Sequence, residues 1–432
     1  MKKTMQCGVA ALLLSAAACS GGGDAQSQAP VTAYENGQIF TGDSFEQKTL
    51  YIAEEKFVDR PAPGQIASVV DLAGAYVTPP FADAHNHVTN PSRLASDQFL
   101  AQGVFYLLNA NTITGPFEDA EDFFAAPDTY DVKVAMGGLT LPGGHPERLY
   151  VEILTQFAYP GWTLERFLGD AFHYVGSRQE AGAALDLLEA QGAQIVKTYL
   201  LYSEEFAARK DDAAYYGMKG LDPEFFPALA QMIHERGLPV TVHVETDHDV
   251  RVAAGAGVAW LAHLPGYGIS RDDDDIAYAT LSDEAVAALA DASTIVTPTY
   301  VVGKAGYDRL DPDAPARSFE DAHFTMQKEN IAALKAAGVP IAIGTDGADA
   351  AAGEADHLVA IGAMSRIEAL DALTQTGALI FPDRKLGCFD EGCEASFLVF
   401  ESNPAAAPLS DASITSFVKQ GQTLSFEEAE SD

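Results

Sequence analysis

Basic residues are scarce in this 432-residue chain: 26 Lys and Arg stand against 62 Asp and Glu, a formal charge of −36. So acidic a surface excludes electrostatic binding of nucleic acid or of anionic lipid headgroups, which need a cationic face. It says nothing about a small substrate. Long apolar runs are also missing. No stretch reaches the roughly 18 residues of a membrane-spanning helix. Cysteines number four. Cys388 and Cys393, in LGCFDEGCEA, have no His beside them, which argues against a thiolate zinc site. No internal repeat shows other than a β/α unit.

The chain opens MKKTMQCGVAALLLSAAACSGGG. Lys2 and Lys3 precede a short apolar stretch of signal-peptide size. The small residues before Cys19 resemble a bacterial lipobox. That resemblance implies cleavage after residue 18 and lipidation of Cys19; plain secretion with a free Cys19 is the alternative. Cleavage takes away two lysines and no acids, moving the charge from −36 to −38. Residues 19–30 then read as a lipidated, flexible tether. The expectation is an exported protein, either an envelope lipoprotein facing the periplasm and tied to the outer membrane, or a periplasmic one. Its only membrane contact would be the anchor at Cys19. In that compartment Cys388 and Cys393 can form a disulfide clip across a turn.

After the tether, short alternating strands separated by turns occupy residues 31–76. From residue 77 eight apolar, β-rich runs appear: YVTPPFADAH, GVFYLLNA, VKVAMGGL, AQIVKTYL, LPVTVHVE, VAWLAHL, TIVTPTYV and VPIAIGTD. Between most of them lie Ala/Leu/Glu-rich stretches with helical spacing, such as RQEAGAALDLLEAQG. Eightfold strand–helix alternation predicts an α/β fold, a (β/α)8 TIM barrel over 77–381. Residues 382–428 return to β-like text. The expected second unit is a small β-sandwich domain built from the N- and C-terminal segments, 31–76 and 382–428.

Polar residues fall at the C-terminal ends of those runs, where barrels carry their chemistry. The first run ends in His85 and His87, two apart and therefore on one face of a strand. Lys197 lies in the fourth, His243 in the fifth, His263 in the sixth and Asp346 at the end of the eighth. Each has a plain reading: a hydrogen-bonded core His, a Lys197–Asp346 ion pair, or Asp346 as a helix cap. Those readings must all hold at one end of five strands. An ammonium cannot ligate a cation, but a desolvated neutral amine can add carbon dioxide and become an anionic carbamate.

The HNH ending, the KTY, VHVE, AHLP and GTDG runs and the split β unit resemble the amidohydrolase superfamily over nearly the whole mature chain. The nearest resemblance is to exported imidazolonepropionase-like and metal-dependent dipeptidase-like members. It implies two divalent ions, expected to be Zn²⁺, with His85 and His87 on the more buried one. It also implies carboxylated Lys197 as the bridge, His243 and His263 on the second ion, and Asp346 as catalytic aspartate and ligand. A hydroxide shared by the ions would attack a small-molecule amide such as a dipeptide, N-acyl amino acid or cyclic amide. Deaminase-like members lack this lysine, so hydrolysis is favoured. The alternatives are an ester, lactone or phosphoester on the same site, or a non-catalytic envelope binding lipoprotein.

The GGLTLPGGHPERLY loop offers substrate-binding candidates. His145 resembles the substrate-contacting His of prolidase-like members, with a surface turn as the alternative. Arg148 could grip a substrate carboxylate. Tyr199 shares the inward face with Lys197 and could donate to an oxyanion or simply pack; Tyr202 follows it. Glu245, on the face of His243, is read as that residue's partner. His234, His248, His323 and His357 read as surface or loop residues. Oligomeric state is left open.

Overall fold

The computed structural model describes residues 29–62 and 64–426. The signal segment, Cys19 and most of the tether lie outside the described residues. Strands β1 (Val31–Phe40), β2 (Phe45–Ala53), β3 (Lys56–Phe57), β4 (Ile66–Asp71) and β5 (Tyr76–Thr78) open the described chain. The parallel strands follow: β6 (Phe81–Asn86), β7 (Val104–Asn109), β8 (Asp131–Val134), β9 (Gly138–Thr140), β10 (Phe172–Tyr174), β11 (Val196–Tyr199), β12 (Val240–His243), β13 (Trp260–Leu261) and β14 (Ile295–Val296). The chain closes with β15 (Phe397–Phe400), β16 (Ile414–Lys419) and β17 (Gln422–Thr423). Among the described residues no helix is long and apolar enough to cross a membrane.

Both chain ends build one eight-stranded sheet in the order β17-β16-β15-β5-β1-β2-β3, with β4 on β1. The strands form a single hydrogen-bonded path. A register shift between Tyr34 and Gly37 divides β1, whose first half pairs β4 and whose second half pairs β5. The sheet encloses its own small core of Leu50, Phe57, Val77, Phe397 and Val418. Cys388 and Cys393 are disulfide-bonded at its edge. The run YVTPPFADAH is two strands: Val77 pairs with Ile39 of this sheet, and the barrel-like part starts only at Phe81. Pro79 and Pro80 lack the N–H that would carry one ladder through.

The parallel segments run in two arcs, β6-β7-β8 and β10-β9-β11-β12-β13-β14. The expected barrel is therefore not closed by continuous ladders. Separate hydrogen bonds bridge the arcs: Gln194 N donates to Val134 O, and Ala84 N to Ile343 O at 2.7 Å. The eighth run forms no ladder and makes one bridge, Ile341 with Val296. It must pass close to β6. A Cβ on Gly344 would sit 2.8 Å from His85 N, so only glycine fits there. Helices alternate with the strands where their caps predict. Ser177 caps Arg178–Ala190, and Thr246 with Asp249 forms a capping box on Asp247–Gly255.

A buried ionic network joins the β unit to the barrel-like unit. Asp131 accepts from Lys419 Nζ and from Arg384 Nη1, each at 2.7 Å. Arg384 reaches Glu394, which also accepts from Tyr106 OH at 2.8 Å. Lys419 is fully buried and also donates to Thr129 O. We expect Asp131→Ala, which strands the Lys419 charge, to cost about 3–5 kcal/mol of stability in urea unfolding. A loss below about 1 kcal/mol, the usual worth of a surface pair, would show that the network is not what docks the two units.

Candidate metal centre

The C-terminal ends of the parallel strands open into a cavity of about 630 Å³, lined among others by His87, His145, Lys197, Tyr199, His243, His263 and Asp346. Asp83, inside β6, sets the first corner. Its Oδ1 accepts from His85 N at 3.0 Å and Thr345 N at 3.2 Å. Its Oδ2 accepts from Asn86 Nδ2 at 2.9 Å and Thr345 Oγ1 at 2.7 Å. Asp346 N then donates to His85 O at 2.8 Å, and Asp346 takes a left-handed backbone, φ +54°. The residue that ends the eighth run is thereby turned toward the two histidines that end the first.

The result is a tight convergence of donor atoms. His85 Nε2 and His87 Nε2 lie 3.0 Å apart, and Asp346 Oδ1 is 3.3 Å from the first and 3.1 Å from the second. His87 Nδ1 lies 2.8 Å from the backbone carbonyl of Asn111, which fixes the ring with Nε2 toward His85 and Asp346. His263 adds a fourth donor: one nitrogen can lie within 4.8 Å of His85 and Asp346 donor atoms. Its Nδ1 is held by Thr299 Oγ1 at 2.8 Å. The His243 ring stands 4.7 Å from that of His263, with Nε2 2.9 Å from Glu245 Oε1.

Desolvation sets the protonation of this cluster. Burial, then the Lys197 charge, lowers His85 to about 3; the same two causes take His243 to about 3. Burial also holds His263 well below the ordinary imidazole range. Burial lowers Lys197 to about 7, against the opposing pull of Asp346. For Asp346 burial alone would raise the pKa, but hydrogen bonds to His85 and His87 outweigh it and hold the carboxyl well below its usual range. Neutral imidazoles, an amine that loses its proton near neutrality and an ionised carboxylate are the donor set a divalent ion takes. His85 Nδ1 is buried without a partner, a further sign that this pocket is not a finished hydrogen-bond network.

The plain alternatives fail on geometry. Among the described residues Lys197 makes no ion pair, with Asp346 or otherwise, although its side chain is 1% exposed. Asp346 caps no helix: the helix Ala351–Ala360 starts after Ala350, with no side-chain cap. His145 is not a surface turn residue. It lines the cavity, its ring stacked 4.6 Å from His243, and burial followed by the charges of its neighbours lowers its pKa.

Two candidates are not brought to the cavity. Arg148 points out, paired with Glu152 at 3.1 Å and half exposed. Tyr202 stacks on Arg209, 3.8 Å from ring centre to guanidinium, and lines a different cleft. His323 and His357 are buried, not surface or loop residues; they bond Gly266 O and Gln327 Oε1. Tyr199 faces the cavity, but its hydroxyl already donates to Asn111 Oδ1 at 2.6 Å.

Several contributors were missed in the sequence. Asp83 had a signal: an acid inside an apolar run, the same cue that marked Asp346. Asn111 and Tyr267 had none, being ordinary loop residues until folding places them. Asp249 is another. Its carboxylate accepts backbone N–H groups of Tyr202, Ser203, Glu245 and Thr246, and so ties together the loops after β11 and β12.

A family model described as the amidohydrolase family matches residues 76–424. Among curated sequences no relative matches. Solved structures share the fold at low identity. A crystal structure of an amidohydrolase has 18% identity and a TM-score of 0.69, covering 92% of this chain and 99% of that one. A Xaa-Pro dipeptidase with methionine bound in its active site has 17% identity, TM-score 0.68, and 91% and 99% coverage. The Aspergillus (A. niger) ochratoxinase has 17% identity, TM-score 0.66, and 92% and 96% coverage.

Because the Tyr199 hydroxyl is committed to Asn111, Tyr199→Phe leaves a buried carbonyl oxygen unpaired. We expect a stability loss of about 1–3 kcal/mol in urea unfolding. A hydroxyl held in reserve for a ligand would be removed at almost no cost in stability, and that result would reverse the assignment.

Proposed function

The chain belongs to the amidohydrolase family, metal-dependent hydrolases of carbon–nitrogen bonds, and on that premise we propose that it hydrolyses an amide bond of a small molecule at a binuclear metal centre. The observation that carries this reading is the convergence of His85 Nε2, His87 Nε2 and Asp346 Oδ1 within 3.3 Å of one another, with neutral imidazoles behind them. In this reading His85 and His87 hold the more buried ion, and His243 and His263 hold the second. Lys197, once carboxylated, would supply an anionic ligand to the pair. Zn²⁺ suits the nitrogen-rich donor set. When bound, two such ions supply Lewis acidity toward the amide carbonyl and a water acidified to a pKa of about 7.

The chain's own residues do the rest. Asp346 Oδ1 is committed to the two histidines, while its Oδ2 has no hydrogen-bond partner among the described residues. That free oxygen takes the proton of the attacking water and returns it to the departing nitrogen. Glu245 orients the His243 ring through its 2.9 Å contact and is itself steadied by Tyr267 OH at 3.2 Å. His145, above His243, faces the carbonyl of the bound amide. The class of substrate is a dipeptide, an N-acyl amino acid or a cyclic amide. The N-terminal sequence supports a further proposal, export with a lipid anchor at Cys19.

Three measurements test this. Elemental analysis of protein grown with zinc and bicarbonate should find close to two metals per chain; one or none would count against the binuclear centre. With ¹³C-bicarbonate, the metal-free protein should show a carbamate resonance that grows as pH rises through about 7, where Lys197 loses its proton, and that vanishes in Lys197→Ala. Asp346→Asn should keep the fold but lose about 10²–10⁴-fold in kcat. Near-normal turnover in that variant would remove Asp346 as the proton carrier.

A further inference from the structure

The candidate metal ligands make one part of the cavity lining polar, but another part is not. Val88, Ile113, Pro116, Leu149, Leu154 and Phe157 form it. Ile113 and Leu154 belong to a small core of their own, in which Tyr150, Phe167 and Phe172 pack together. Phe157 is 69% and Val88 59% exposed at the mouth, so large apolar surface is left facing water where a ligand enters.

Among the described residues that line the cavity there is no Arg, and the single Lys is Lys197. In the reading proposed above that lysine carries a carbamate and is no longer a cation. The nearest alternatives along the chain are spent elsewhere. Arg148, beside Leu149 in sequence, pairs with Glu152, and Lys219 donates to Lys210 O at 2.7 Å. Asn111 beside the wall is committed too: its Nδ2 donates to Tyr150 OH at 2.8 Å and to Ala171 O at 3.1 Å. A carboxylate drawn into this part of the cavity would lose its water and gain no cation in return. The charge of −36 on the whole chain opposes its approach as well.

We propose that the cavity selects neutral amides with an apolar or aromatic group against the wall, and rejects substrates bearing a free carboxylate. This rests on the hydrolytic reading and narrows it. Of the three classes named there, cyclic amides remain, while dipeptides and N-acyl amino acids with free carboxyl groups drop out; N-acyl amines without a carboxylate join the first.

Matched pairs that differ only by a carboxylate test the proposal on the zinc-loaded protein: N-acetylphenethylamine against N-acetylphenylalanine, and acetanilide against 4-acetamidobenzoate. The neutral member should have the higher kcat/KM by on the order of 10²-fold. Equal or better turnover of the acid would overturn the proposal. Phe157→Arg, at an exposed position that tolerates charge, should shrink the ratio by about tenfold by supplying the missing cation. An unchanged ratio would show that this wall is not the selector. If no compound is hydrolysed, the hydrolytic reading fails, and calorimetric titration of the same pairs still decides the specificity. Tighter binding of the neutral members supports it; equal or tighter binding of the acids, or no binding of either, overturns it.

Discussion

The carboxylate of Asp83 holds the first and last parallel segments together, and the geometry of the candidate centre depends on that junction. The eighth run makes almost no ladder of its own, so backbone pairing alone would leave its end poorly placed. Asp83 replaces the missing ladder with four hydrogen bonds, two of them to Thr345, 262 residues away. Gly344 lets the backbones approach, and Asp346 N completes the join on His85 O. Burial raises Asp83 to about 6 against the lowering pull of these bonds.

Desolvation is the second organising constraint. It removes protons from His85, His243, His263 and Lys197, and the histidine contacts keep Asp346 ionised against it. The same loss of water acts across the cavity with the opposite result. There the wall is apolar and holds no countercharge, so burial there penalises an anion. One half of the cavity is therefore built for positive charge and the other for none.

Much of the architecture was legible from periodicity. Helices such as Arg178–Ala190 and Asp283–Ala292 fall where Ala/Leu spacing and Ser caps put them. The two chain ends do meet in one β unit. What misled was continuity: YVTPPFADAH reads as one apolar run, yet two prolines divide it between two sheets. Burial misled too. His323 and His357 read as surface or loop residues, but each sits on the inner face of its helix. Helical position, not local hydropathy, decides exposure when neighbours three and four residues away pack inward.

The local sequence determined which chemical groups stand at the ends of the parallel segments. His85, His87, Lys197, His243, His263 and Asp346 each interrupt or end an apolar run, and a polar group there has to be paired or used. Only the tertiary structure decided which groups remain available. It spent the Tyr199 hydroxyl on Asn111, turned Arg148 out to Glu152, stacked Tyr202 on Arg209 and brought apolar side chains into the same cavity as the candidate metal ligands. The physical reason is that a residue's type is a local property, whereas its partner is whatever distant group the packing brings within about 3 Å.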